Sequence, residues 1–250
     1  MRPVLLLCLP PTHRLLPAAI SHALTHLHTH PTAAPARFTP NRAARRPALP
    51  GGHRWALVHG RFTAHPTATR HDLIGARTHR DGMRCAGGPI HLLNLDHAAH
   101  HAHTAALRVW LLYDAVTMHT PPAQPWTLFT NLHTQNPERY PLDWARRAFA
   151  AQPAIRALRD YDHRPDTTPV FGRFRPDSYA SAHAELADGR DLFCRRRALH
   201  ALVGDRLLAA DGTLLAPTRE TPTAFDRYAD AASRYLRQHS TLRVVAVYYH

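Results

Sequence analysis

Val4-Leu5-Leu6-Leu7-Cys8-Leu9 is an unbroken apolar run, closed by Pro10-Pro11. A strand that alternates apolar and polar residues buries one face; an unbroken run buries both. The run therefore predicts a central strand covered on two sides. At the other end of the chain, Leu242 to Tyr249 is rich in valine and tyrosine and predicts a second core strand. A helix is predicted over 15–30, where Leu16, Ile20 and Leu24 recur at intervals of four and Leu27 extends the stripe. Core strands near both termini with several helices between define a mixed α/β or α+β chain. The sequence leaves the strand order open.

Working inward, Trp55 to Val58 reads as a strand, and Pro89 to Leu95 as another after the Gly87-Gly88 turn. Asp96 is placed to cap a long helix reaching His119, with Leu107, Trp110, Leu111 and Val116 at helical spacing. Pro121-Pro122 ends it. Asp143 to Ala151 is a short helix, continued after a kink by Pro153 to Arg159. Arg190 to Val203 is helical. Arg206 to Leu215 reads as a hairpin on a type I′ turn at Asp211-Gly212. Thr221-Pro222 opens a last helix, its apolar face formed by Phe225, Tyr228, Ala232, Tyr235 and Leu236. The chain divides by composition into a strand and helix (1–30), a basic Pro/Ala/Arg-rich linker (31–52), a mixed, helix-rich core (53–165) and an α/β C-terminal segment (166–250). The last two segments are compatible with a single domain.

The chain has 250 residues, enough for one large or two small domains. It has 22 histidines, and all 31 of its basic residues are arginine. His outnumbers Gln by 22 to 4, Asp outnumbers Glu by 15 to 3, and Asn outnumbers Lys by 4 to 0. In each pair the favoured residue has a pyrimidine in the third codon position. A GC-rich gene therefore explains much of the histidine excess without a functional cause. The formal net charge is +13. Such a field favours polyanions, nucleic acid first among them.

Cys8, Cys85 and Cys194 are odd in number and far apart, which argues against a disulfide framework or a CxxC zinc pair. No apolar run is long enough to span a membrane, and the short run after Arg2 falls below a signal-peptide core. The expectation is a cytoplasmic protein. There is no GxGxxG, Walker A, GxSxG or DxDxDG pattern, which weighs against nucleotide-dependent, serine-hydrolase and EF-hand chemistry.

Candidate metal ligands fall in two groups. His22, His26 and His30 share a face if the segment is helical; His26, His28 and His30 share one if it is extended. Asp96, His97 and His101 form the second group, with the two histidines one helical turn apart. Neutral imidazole suits zinc, and such a site would take zinc or manganese. An HExxH zincin has a glutamate beside its first histidine; here Ala98 stands there, so the catalytic half is absent.

His26-Leu27-His28 resembles the His-hydrophobic-His motif of rolling-circle nicking enzymes and relaxases. That resemblance implies a strand presenting both histidines to a divalent ion, and a helix tyrosine, here Tyr228 or Tyr235, attacking a DNA phosphate. Its separation from these tyrosines is much longer than the family pattern. His28-Thr29-His30-Pro31 is similar to the core of the JAMM zinc isopeptidases, but Thr39 and Arg42 stand where that motif needs serine and aspartate, and no glutamate lies upstream. The stretch Asp81 to Gly88, with Asn136-Pro137-Glu138-Arg139, resembles a small uncharacterised actinobacterial domain family and implies no chemistry.

Cys85, beside Arg84 and a glycine turn, is a candidate nucleophile with His59 or His91 as base. The arginine groups Arg42, Arg45 and Arg46; Arg146 and Arg147; and Arg195, Arg196 and Arg197 are candidate phosphate contacts. Trp55, Trp126 and Trp144 would supply stacking surfaces. The leading expectation is a basic accessory protein of a GC-rich mobile element, phage or virus that binds DNA or RNA. The alternatives are a His-ligated divalent-metal nuclease or other phosphodiesterase, and a non-catalytic interaction domain.

Overall fold

The computed structural model describes residues 3–11, 16–29, 55–172, 178–219 and 221–249. The strands are β1 (Val4–Leu9), β2 (Trp55–Leu57), β3 (Phe62–Thr63), β4 (Arg77–His79), β5 (Gly82–Cys85), β6 (Gly87–Pro89), β7 (Arg206–Leu208), β8 (Leu214–Leu215) and β9 (Arg243–Tyr249). The helices are α1 (Leu16–Thr29), α2 (Leu95–Thr117), α3 (Trp126–Gln135), α4 (Leu142–Ala150), α5 (Pro153–Asp162), α6 (Ser178–Ala187), α7 (Arg190–Val203) and α8 (Pro222–Gln238). The class is mixed α and β, with strands near both termini and helices between. The chain forms two compact units: residues 1–101 with 198–250, and residues 102–197.

The first unit is built on a six-stranded sheet in the order β2-β9-β1-β7-β8, with β6 also paired to β9. β1 is central. It runs parallel to β7 (Leu5 opposite Arg206) and antiparallel to β9 (Leu6 opposite Ala246). Every residue of β1 is buried, as its unbroken apolar run predicts. The pleat separates them by face. Leu5, Leu7 and Leu9 pack with Val245, Val247 and Leu208 against Ile20 and Leu24 of α1. Val4, Leu6 and Cys8 pack with Val244, Ala246 and Leu207 against Tyr228, Ala229, Ala232 and Leu236 of α8. Each fully buried leucine or isoleucine contributes about 1.5–3 kcal/mol of transfer free energy.

A second, three-stranded sheet, in the order β3-β5-β4, belongs to the same unit. Phe62 and Cys85 are opposite one another and buried, and Met83 packs on the same core. None of these three strands was evident from the sequence. The segment read as a strand over Pro89 to Leu95 is instead the end of β6 followed by a single 3-10 turn, Ile90–Leu92. The reason lies in the partners: Ile90 and His91 donate their N–H groups to the Leu242 and Ser240 carbonyls, which lie just before the start of β9, so the backbone leaves the ladder there.

The long helix starts two residues earlier than an Asp96 cap implies and has a different cap. The Asn94 side-chain oxygen accepts the His97 N–H at 3.0 Å, whereas Asp96 pairs with Arg237 at 2.9 Å. The hairpin at Asp211-Gly212 also differs from a two-residue type I′ turn. Leu208 faces Leu214 and Ala209 donates to the Thr213 carbonyl, which leaves a three-residue loop with Gly212 in the left-handed region at φ 88. At α8, Thr221 does cap: its side chain accepts the Ala224 N–H, with Pro222 in the first turn.

The second unit is helical among its described residues. Ala106, Leu158, Phe171, Leu186, Phe193 and Cys194 form its core, and Phe149 with Ile155 a smaller cluster beside Trp126 and Phe129. Buried Asp162 at the end of α5 accepts N–H groups from Val170, Phe171 and Gly172 and so ties the following loop to the helix.

Candidate functional site

The first histidine group falls on α1. Its backbone is helical through Thr29, so His26 and His28 do not lie on the strand that the nicking-enzyme motif requires. His22 is exposed on that helix, and His30 lies outside the described residues. In the second group His97 and His101 stack one turn apart with ring centroids 6.5 Å apart, while Asp96 is held by Arg237. Among the described residues, no three His, Cys, Asp or Glu side chains are grouped to hold a metal ion.

Cys85 is fully buried, and its thiol donates to the Phe62 carbonyl with Sγ 3.8 Å away. Burial pushes its pKa up to about 11, against the shift a nucleophile needs. His59 is exposed, and His91 contacts the Ser240 carbonyl. Tyr228 is buried and donates to the Val203 carbonyl at 2.8 Å; burial raises its pKa far above the usual phenol range. Tyr235 accepts the Ala210 N–H at 3.0 Å and stacks on His239 with centroids 4.1 Å apart. Both tyrosines thus have structural partners.

The arginine groups differ in what surrounds them. Arg42, Arg45 and Arg46 lie outside the described residues. Arg146 and Arg147 are exposed on α4, Arg146 beside Asp143 at 3.3 Å. On α7, Arg195 is exposed, Arg196 pairs with Asp188, and Arg197 pairs with Glu185 and lies over the Phe193 ring. Trp55 is buried in the first unit. Trp126 and Trp144 belong to an aromatic cluster with Phe129, Tyr140 and Phe149.

Ionisable groups converge in two other places, both in the first unit. One lies where β1 and β7 begin. Asp205 accepts the Val4 N–H at 2.6 Å and faces His200 Nε2 at 3.1 Å. The Arg61 guanidinium donates to the His200 carbonyl, and its Nε is buried without a partner among the described residues. Burial works against the Asp205 charge, yet its hydrogen bonds from His200 and Val4 and the nearby Arg61 charge prevail and lower its pKa. Burial likewise lowers the pKa of Arg61, opposed by Asp205.

The other place is the β4–β5 hairpin. Its turn is Arg80-Asp81, since His79 faces Gly82, and counting outward sets Arg77 directly opposite Arg84. In a strand, residues two apart share a face, so Arg77, His79 and Arg84 lie on the side away from Met83 and Thr78. Arg77 is exposed and Arg84 half-buried. From the sequence Arg77 carries no role, and Arg84 enters only as the neighbour of Cys85. The Asp81-Gly82 dipeptide signals a turn, but a two-residue turn centred on it would set Arg84 opposite His79; the observed turn one residue earlier sets it opposite Arg77.

No family model, curated protein or solved structure matches this chain.

Proposed function

We propose that the chain binds nucleic acid through its phosphate backbone. The observation that carries this reading is the uneven distribution of charge. By sequence, residues 1–101 and 198–250 carry 18 arginines against eight acidic residues and residues 102–197 carry 13 against ten, so ten of the thirteen net positive charges fall in the first set, six of them on residues outside the described ones. In the second unit, carboxylates of α6 and of the residues just after it answer two of the three arginines in the α7 run. The first unit therefore supplies a field suited to a polyanion.

Binding through phosphates releases condensed counterions, so affinity falls steeply with salt, with a log–log slope near –0.9 per phosphate neutralised on duplex DNA. Titration of the full chain into labelled duplex DNA and single-stranded RNA, across a series of salt concentrations, is the test. The expected result is a linear fall in log affinity against log salt for at least one of them. Absence of binding at low ionic strength, or an affinity indifferent to salt, overturns the reading.

A further inference from the structure

We propose that the outer face of the β3–β5–β4 sheet, where Arg77 stands opposite Arg84, takes backbone phosphates of that nucleic acid. This inference rests on the proposed function above and names the surface.

Side chains directly opposite on antiparallel strands have Cβ atoms about 4.5–5.5 Å apart, and like charges there repel. Arg77 and Arg84 are such a pair. Among the described residues no carboxylate pairs with either. The acidic residue of the hairpin, Asp81, turns instead to His79 at 3.5 Å. Edge strands are often charged to keep foreign strands from pairing, and that accounts for Arg77 on β4. It does not account for Arg84, which sits on the central strand with Thr63 on one side and Arg77 on the other.

The other face of this small sheet is fixed against the core by Phe62, Cys85 and Met83. On the opposite face Arg77 and His79 are exposed and Arg84 is half-buried beside buried Thr63, so the open part of that face is its β4 side, on a backbone held in register. Two planar guanidiniums side by side match the oxygens of phosphates, each donating in a fork. An anion between them turns the cross-strand repulsion into attraction. Arg80 in the turn, exposed and pairing with no carboxylate among the described residues, extends the charge to the end of the hairpin.

The test uses the full-length chain and the labelled nucleic acid that it binds. Each phosphate contact removed lowers the salt slope by about one. Arg77→Gln with Arg84→Gln is expected to weaken binding and lower the slope by about two. Arg108→Gln with Arg156→Gln, exposed on α2 and α5 of the other unit, is expected to leave the slope within error. If the half-buried Arg84 cannot be replaced without loss of fold, judged by circular dichroism, Arg77→Ser alone is decisive: it sits exposed on an edge strand, and the slope is expected to fall by about one. An unchanged slope in the β4 and β5 variants, with wild-type binding intact, overturns this inference and leaves the proposed function standing. A wild-type chain that does not bind overturns both.

Discussion

Asp205 joins the starts of two parallel strands. It lies between the end of α7 and the first residue of β7, and its carboxylate accepts the N–H of Val4 at the start of β1. Its own N–H donates in turn to the Val4 carbonyl at 2.9 Å. The ionised form is favoured in the fold, since its pKa is lowered there. A carboxylate with a lowered folded pKa stabilises at pH values above the unfolded value, about 3.9, and loses that contribution as pH falls through the folded value. Asp205→Asn keeps the shape and removes the charge. The side chain is 40% exposed, so solvent screens the charge and the loss is expected to be modest. We expect about 1–2 kcal/mol at neutral pH. Urea unfolding across pH checks it: the gap between wild type and variant closes as the pH drops below the ordinary aspartate range. A gap that persists in acid would show that the charge contributes nothing. Residue-scale chemistry of this kind was not legible in the sequence, because Arg61, His200 and Asp205 meet only when the sheet forms. Cys85 and Tyr228 show the reverse case: both are reactive residue types, and burial makes one a core thiol and the other a core hydroxyl.

At the scale of elements, legibility follows burial on both faces. β1 and β9 were readable because strands covered above and below need apolar residues throughout. β4 and β5 were not, since Arg77-Thr78-His79 and Gly82-Met83-Arg84-Cys85 lack a continuous apolar signature. β6 is Gly-Gly-Pro, a sequence that reads as a turn. The α3 helix begins after Pro125 with no side-chain cap, and its aromatic packing partners arrive from other helices. For β6, glycine is what permits pairing. A Cβ at Gly87 would stand 2.0 Å from the Val244 carbonyl oxygen and 2.8 Å from the Val245 Cα, all backbone atoms of β9. Neither side can give way without breaking the ladder between Gly87 and Val245. Gly87→Ala is therefore expected to cost about 3 kcal/mol or more, at the upper end of what overpacking causes. Gly60→Ala has open space around the added methyl and pays only for its left-handed backbone, about 1–2 kcal/mol. Thermal unfolding of the two variants side by side tests the ranking, and an equal loss would refute the close approach of β6 to β9.

For the molecule as a whole, composition and charge were legible, whereas the face that carries the charge was not. Strand register decides which arginines meet, and a shift of one residue would put Arg84 opposite Thr78 instead of Arg77. The net charge of +13 also sets how the chain responds to salt, with opposite signs for the free and bound forms. In the free protein the excess of arginine repels itself, and salt screens that repulsion over a Debye length of about 10 Å at 0.1 M. Its melting temperature should therefore rise as salt is added. A bound polyanion stabilises the fold by mass action, about 2.7 kcal/mol when the free ligand stands 100-fold above its dissociation constant. That constant weakens steeply between about 50 and 200 mM salt, so the stabilisation shrinks as salt increases. Melting curves with and without duplex DNA should thus be far apart at low salt and converge at high salt, the free curve moving up and the bound curve moving down. Curves that stay parallel would mean that the ligand is held by something other than charge, and coincident curves at low salt would mean that it is not held at all.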